Sequence, residues 1–474
     1  MTRLARILLR IPNKTGTGSE FVRRHTGKAA CCEVPVPLLL GILSLLLLGG
    51  LTAGAWAAER FPPPDFTNHP LPKTQVPGAP SLVYEYVDVA ALLAAMGLAS
   101  YFALVKRWRK GLLALSIVSL AWLGFWRHGC VCPIGAIQNV TLALFDSSYA
   151  IPISVVLIFA APLLFTLFFG RTFCAAVCPL GAVQEVVVMR PVKVPGWLEH
   201  ALGLIPYVYL GAAVLFAATG SAFVICQYDP FVSFFRLGGS VNMLTFGVCL
   251  LVIGLFVGRP YCRYLCPLGA IFRVISPLAR WHVRIPPDDC INCRLCEDAC
   301  PYGAIREPTV EQSIDERRRG RTRLAGFLMA LPVLVGIGVG IGYPLAVPLS
   351  RMHPTVRLAE RIRQEETGKA SGTTDASDAF RNTGRRPAEL YREALELRDR
   401  FARSGAMLGA WVGLVIGIKL IHLSIRRRQA EYLADRSNCV SCGRCFWYCP
   451  KEQVRLGLIE NVDVMVKQGI GNRE

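Results

Sequence analysis

Apolar runs long enough to cross a bilayer recur along the chain at about 36–57, 88–105, 111–127, 150–169, 203–225, 242–258, 324–348 and 404–424. A helix needs about 20 consecutive apolar residues to span the hydrocarbon core. The pattern therefore predicts an all-α integral membrane bundle of about eight transmembrane helices.

The polar stretches between these runs sort by charge. Residues 1–33 carry Arg3, Arg6, Arg10, Lys14, Arg23, Arg24 and Lys28 against only Glu20 and Glu33. By the bias of basic loops toward the cytoplasm this is an inner tail, and the run at 36–57 begins too late for a cleaved signal peptide. With eight spans both termini are inside. Lys106–Lys110, Arg171–His200, Arg259–Arg323 and Arg426–Arg428 then also face the cytoplasm. The polar segment 350–403 falls outside and reads as a solvated linker, with partner docking as the alternative.

Composition agrees: 53% of residues are hydrophobic and mean hydropathy is +0.41, which excludes an ordinary soluble globule. The formal net charge of +19 lies mainly in loops beside the predicted spans, where membrane lipid is the expected contact and no nucleic-acid partner is expected.

The chemistry lies in the cysteines. Cys290, Cys293, Cys296 and Cys300-Pro301, and again Cys439, Cys442, Cys445 and Cys449-Pro450, follow C-x2-C-x2-C-x3-C-P. Three cysteines at this interval wrap a loop around one iron–sulfur cubane, and the fourth reaches the neighbouring one. One cluster is thus assigned to Cys290, Cys293, Cys296 and Cys449, and a second to Cys439, Cys442, Cys445 and Cys300. Zinc or disulfides are the competing reading, but zinc sites seldom repeat this triple spacing. Two spans separate the halves, so both return to one face and can build a single small α+β ferredoxin-like domain.

A second repeat lies within the membrane half. Gly170-Arg171 with Cys174, Cys178-Pro179, Gly181 and Ala182 matches Gly258-Arg259 with Cys262, Cys266-Pro267, Gly269 and Ala270. The four cysteines can ligate one further iron–sulfur centre, anchor separate clusters, or be small buried hydrophobes. A degenerate third copy holds His128, Cys130, Cys132-Pro133, Gly135 and Ala136, and is expected on the outer face with Cys226. His128, Cys130, Cys132 and Cys226 form either a metal site or an outer disulfide.

Other features carry less. Cys31, Cys32 and Cys249 read as packing residues, and the alternating glycines from Gly336 to Gly342 as helix packing rather than a dinucleotide loop. His422 is a candidate quinone contact, with an interfacial histidine the more common case. No C-x-x-C-H run supports covalent haem.

The expected organisation is a tail (1–33), transmembrane helices 1–3 (34–127), helices 4–6 with the Cys-Pro loops (128–280), a first ferredoxin half (281–323), helices 7–8 with the outer loop 350–403 (324–425), and a second ferredoxin half (426–474).

The combination of G-R-x2-C-x3-C-P-L-G-A at membrane exits with a two-cluster ferredoxin run resembles membrane-bound 4Fe-4S polyferredoxins of the NapH and NosR type. Those proteins accompany periplasmic nitrate and nitrous-oxide reductases. The likeness covers about residues 90–305. It implies a multi-pass protein of the bacterial inner membrane with cytoplasmic clusters. Such a protein passes electrons from the quinone pool or a cytoplasmic donor to a periplasmic or membrane redox protein, as an electron-transfer subunit rather than a stand-alone enzyme. An iron–sulfur assembly factor or a redox sensor for a respiratory metalloenzyme is the alternative. The chain departs from the type in lacking a large N-terminal flavin-binding domain, in the third copy, and in the two-span insertion that splits the ferredoxin.

Overall fold

The computed structural model describes residues 82–129, 131–189, 191–236, 238, 240–285, 290–309, 313–425, 429 and 431–462. The basic tail, the apolar run at 36–57, Cys31, Cys32 and Cys130 lie outside the described residues.

The described chain is mostly helical, with one two-stranded sheet. Helix α1 (Leu82–Ser100) continues through a π-helical turn to Val105, and α2 (Arg109–Ser119) through another to Trp126. Then come α3 (Pro133–Phe145), α4 (Ile153–Phe169), the short pair α5 (Thr172–Ala176) and α6 (Pro179–Val187), α7 (Gly196–Leu202) and α8 (Ile205–Ala218). Helices α9 (Val224–Tyr228), α10 (Pro230–Arg236) and α11 (Val241–Gly254) lead to a second short pair, α12 (Pro260–Tyr264) and α13 (Pro267–Ile275). After α14 (Leu295–Asp298) and β1 (Ile305–Arg306), the chain forms α15 (Ile314–Ser350), α16 (Pro354–Glu366), α17 (Asp375–Asn382) and α18 (Pro387–Ser424). It ends with β2 (Leu433–Ala434), α19 (Arg444–Trp447) and α20 (Pro450–Arg455).

The eight-span expectation is met in part. Four helical stretches among the described residues are long and apolar enough to cross a membrane, namely Val83–Val105, Gly196–Ala218, Ile314–Ser350 and Pro387–Ser424, with a fifth if bent α10 and α11 count as one. The run at 150–169 is a 17-residue helix, and α3 is an apolar helix the hydropathy pattern did not separate from its neighbours. Both are shorter than the bilayer requires of a straight span.

Helices α15 and α18 form a long hairpin whose contact is made by glycine. A Cβ on Gly338 would come within 2.1 Å of the Gly409 carbonyl oxygen, and one on Gly342 within 2.2 Å of the Gly405 oxygen. Gly336 and Gly340, on the other face, meet nothing. Residues four apart share a helix face, so only every second glycine of the run serves the contact. Gly342→Leu is expected to push the hairpin apart at a cost of about 1–3 kcal/mol, read as a lowered unfolding temperature in detergent. The same change at Gly340 is expected to be close to neutral.

Segment 350–403, expected as a solvated linker, is folded. Val356, Ala359, Ile362, Phe380, Leu390, Ala394 and Leu397 bury together where α16 and α17 pack on the first turns of α18. Glu365 accepts from Arg361 and Arg381 and from the Ser377 hydroxyl, which ties α17 to α16. The apolar positions recur at helical spacing beneath a charged surface, and the abundance of charge hid them in a reading of composition.

The two segments expected as ferredoxin halves meet despite the hairpin inserted between them. Strand β1 pairs antiparallel with β2, Ile305 opposite Ala434 and Arg306 opposite Leu433. Val283, Ile285, Cys296, Tyr432, Cys445 and Phe446 make one small core beneath the pair.

Candidate functional site

Four of the five Cys-Pro steps do the same local work, Cys300-Pro301 being the exception. Cys132, Cys178, Cys266 and Cys449 sit at helix N-caps with the proline in the first turn, where its missing N–H costs nothing. The sulfur is then left facing free backbone donors, as where the Gly269 amide donates to Cys266 Sγ at 3.3 Å. Such donors and the positive helix end favour a thiolate, the ligating form.

The two cluster loops share a backbone. Asn292 and Arg294 in the first, and Ser441 and Gly443 at the matching places in the second, all take positive φ. Alternation of right- and left-handed residues turns successive amides inward into an anion-binding concavity. The strain this puts on Asn292, Arg294 and Ser441 is of the kind held at functional sites.

The thiols gather in three groups. Cys290, Cys293, Cys296 and Cys449 line one hollow with Ile285 and Tyr432. Burial pushes the Cys296 thiol up to about 12, and Cys293, Cys449 and Cys290 add to the rise. Cys439 is likewise raised to about 12 by burial, with Cys442 and Cys300 contributing. Cys445 lies well above the usual range from burial and from Cys439, Cys442 and Cys300. In the third group burial raises Cys178, and Cys262, Cys174 and Cys266 raise it further. Like charges crowded in a buried place need a cation among them, and an all-thiolate donor set suits iron–sulfur clusters.

Among the described residues no three His, Cys, Asp or Glu side chains converge closely enough to hold a single metal ion. A cluster spreads its thiolates around a cube, so the three groups fit clusters better than isolated ions. No disulfide links any described cysteine.

The third group has an internal two-fold relation. Arg259 of the second copy donates to the Cys174 and Ala175 carbonyls of the first, and a Cβ on Gly181 would lie 3.1 Å from its Nη1. Arg171 of the first copy reaches back, 3.7 Å from a Cβ on Gly269, and also donates to the Ser437 carbonyl in the ferredoxin lobe. The glycine of C-P-L-G-A thus makes room for the other copy's arginine.

One largely buried acid ties the lobe to this pair. Glu185, on α6, accepts from Arg259 Nε at 3.2 Å, from Arg444 at 2.9 Å and from the Tyr302 hydroxyl, with Arg109 at 4.0 Å. Burial alone would raise its pKa. The Arg259 and Arg444 guanidiniums and the Tyr302 hydroxyl outweigh burial and hold the carboxyl down to about 2. Arg107 and Glu452 add a second joint at 2.9 Å, with Glu452 fully buried. Tyr302, Ala304 and Val440 form a small apolar cluster against which Cys174, Cys300, Cys439 and Cys442 all pack.

Of the residues expected on the outer face, Cys132 and Cys226 are brought together and His128 is exposed at positive φ. Asp229 is buried close to the pair, and burial raises its carboxyl to about 6. The cysteine motifs did not announce Glu185 or Tyr302, and they carried Arg171 and Arg259 in the repeated Gly-Arg step without a role. The one available signal was a charge at the seventh position after each membrane-exit cysteine, Glu185 in one copy and Arg273 in the other, within otherwise apolar helices.

Comparison with known proteins matches residues 151–203 and 240–286 to a 4Fe-4S binding domain, and residues 283–306 to another domain of that description. The first match contains Cys174, Cys178, Cys262 and Cys266. Protein NirI of Paracoccus denitrificans is 35% identical over 239 residues, 46% of this chain and 35% of NirI. YccM of Escherichia coli is 27% identical over 187 residues, 36% of this chain and 52% of YccM. Regulatory protein NosR of Pseudomonas aeruginosa is 29% identical over 226 residues, 43% of this chain and 30% of NosR. The chain thus spans about a third of NirI and about half of YccM. No solved structure matches it. The resemblance to membrane 4Fe-4S polyferredoxins of the NosR type holds, and the chain carries 4Fe-4S binding domains in a helical membrane protein.

Proposed function

We propose that the chain is an integral-membrane iron–sulfur electron carrier. In this reading Cys290, Cys293, Cys296 and Cys449 hold one [4Fe-4S] cluster, and Cys439, Cys442, Cys445 and Cys300 a second. Cys174, Cys178, Cys262 and Cys266 hold a further centre. Bound clusters supply one-electron redox chemistry, with potentials set by hydrogen bonds, charge and exposure.

The observation that carries the reading is the adjacency of the three groups. Cys174 packs against Tyr302, Ala304 and Val440, as do Cys300, Cys439 and Cys442, and Cys296 shares a core with Cys445. Arg171 and Arg259 lie beside both groups and offset thiolate charge, and Gln184 donates to Cys262 Sγ at 3.4 Å. Such donors and cations favour the more negative, reduced state.

The spans left short in the fold serve the same reading: eight crossings, counting the run at 36–57, put both termini and the ferredoxin lobe in the cytoplasm. The donor is a quinol or a cytoplasmic reductant, and the acceptor is a redox protein of the outer face or the membrane. Sealed vesicles test this. An impermeant reductant offered to the ferredoxin face should reduce an impermeant acceptor on the other face, and Cys174→Ser should abolish the transfer. Equal transfer in both would contradict the reading.

A further inference from the structure

We propose that Cys132 and Cys226 are a redox-active dithiol at the end of the bundle far from the ferredoxin lobe, fed by the Cys174, Cys178, Cys262 and Cys266 group and discharging into a protein disulfide. The inference rests on the carrier reading and extends it by one step and one partner class.

Helix α2 with its π-helical extension is the ruler. Just before its start Arg107 pairs with Glu452, and in its first turn Lys110 lies over the Trp447 ring, so this end is docked on the lobe. Further along, the Ser119 hydroxyl donates to the Val177 carbonyl, next to Cys178. Cys132 follows the far end. At about 1.5 Å per residue Arg109 to Ser119 covers about 15 Å, and the π-helical stretch Leu120–Trp126 carries the chain further. The three thiol stations therefore succeed one another along a single axis.

The two sulfurs flank one glycine. Cys132 caps α3 with its sulfur toward the Ile134 and Gly135 amides, and a Cβ on Gly135 would lie 3.2 Å from Cys226 Sγ. In the two other copies the same glycine faces an arginine, so here the sulfur of Cys226 has taken the place of that cation. The Gln138 carboxamide oxygen holds the opposing backbone, accepting from Ile225 N at 2.9 Å and Cys226 N at 3.4 Å. Cys226 is exposed and Cys132 only partly so, which suits one sulfur to meet a partner and the other to close the bond.

The space between the stations is packed. Gln184 donates to Cys262 Sγ and accepts from the Tyr261 amide at 3.0 Å. The buried Tyr261 ring meets Phe231 edge-on at 5.4 Å, and the Phe231 amide donates to Asp229 beside Cys226 at 2.9 Å.

The step balances. A Cys132–Cys226 disulfide takes two electrons, one at a time from the iron–sulfur donor, and two protons from solution, giving two thiols. Exchange with a partner's disulfide breaks that S–S bond, re-forms the Cys132–Cys226 bond and leaves the partner with two thiols.

The test uses the full chain in sealed vesicles, with maleimide labelling of Cys226 and mass analysis of its peptides. After mild oxidation Cys226 should stop labelling and a Cys132–Cys226 cross-linked peptide should appear. In Cys132→Ser and in Cys132→Ala, Cys226 should still label. Reductant applied only at the ferredoxin face should restore labelling in the wild type and not in Cys174→Ser. Wild-type labelling that ignores the oxidant would overturn the dithiol while leaving the carrier reading in place. Recovery as fast in Cys174→Ser would overturn the feed. Absence of a third-centre EPR signal in the same wild-type samples would count against the carrier reading itself.

Discussion

Glu185→Gln is expected to loosen the ferredoxin lobe from the membrane bundle, at a cost of about 3–5 kcal/mol. That is the usual result of stripping the partner from buried charges. The carboxylate stands among Arg259, Arg444 and Arg109, and Arg259 is only 1% exposed. A neutral amide keeps the shape and leaves the guanidiniums facing one another. The loss should appear as protease cleavage between the halves and as iron lost from the lobe on warming. Wild-type resistance in the variant would show that the joint is not held by charge. The pH dependence follows from the depressed pKa. An acid whose folded pKa lies below its unfolded value stabilises fully above the unfolded value, here 4.5, and loses that contribution as pH falls toward about 2. The Glu185 joint should therefore be indifferent to pH from 5 to 8 and weaken only in stronger acid.

The second large effect is expected from Cys174→Ser compared with Cys442→Ser. Cys442 stands with Cys439, Cys445 and Cys300, so its loss should remove or distort one cubane signal. Cys174 stands with Cys178, Cys262 and Cys266, and its loss should spare both ferredoxin signals and abolish a different one. Arg259 links the two by interacting with both Cys262 and Cys442. Arg259→Gln should shift the potentials of two centres at once, where a change remote from the junction moves neither.

What could be read in advance was what depends on fixed spacing. The ferredoxin runs name their own partners because a cubane needs three thiolates from one tight loop and a fourth from elsewhere. The structure places Cys449 in the hollow of Cys290, Cys293 and Cys296, and Cys300 near Cys439, Cys442 and Cys445; that these sets ligate clusters is the proposal. The duplicated C-x3-C-P was legible as a pair for the same reason. Glu185 was not, because its importance comes from three arginines and a tyrosine contributed by distant segments, and sequence distance carries no sign of their meeting. Hydropathy located α1, α8, α15 and α18 well. It misjudged α3, whose 13 residues share one continuous apolar character with what surrounds them. It also treated 350–403 as linker, since a thin apolar stripe beneath many charges averages to a polar segment.

The central claim is that this chain holds two ferredoxin clusters and at least one more centre at Cys174, Cys178, Cys262 and Cys266. The most direct measurement is anaerobic purification in detergent, with iron and acid-labile sulfide quantified and EPR recorded through a redox titration. The account predicts two cubanes plus a further signal that disappears in Cys174→Ser. Iron and sulfide sufficient for two cubanes alone, with spectra unchanged in Cys174→Ser, would contradict it and confine the redox chemistry to the ferredoxin lobe.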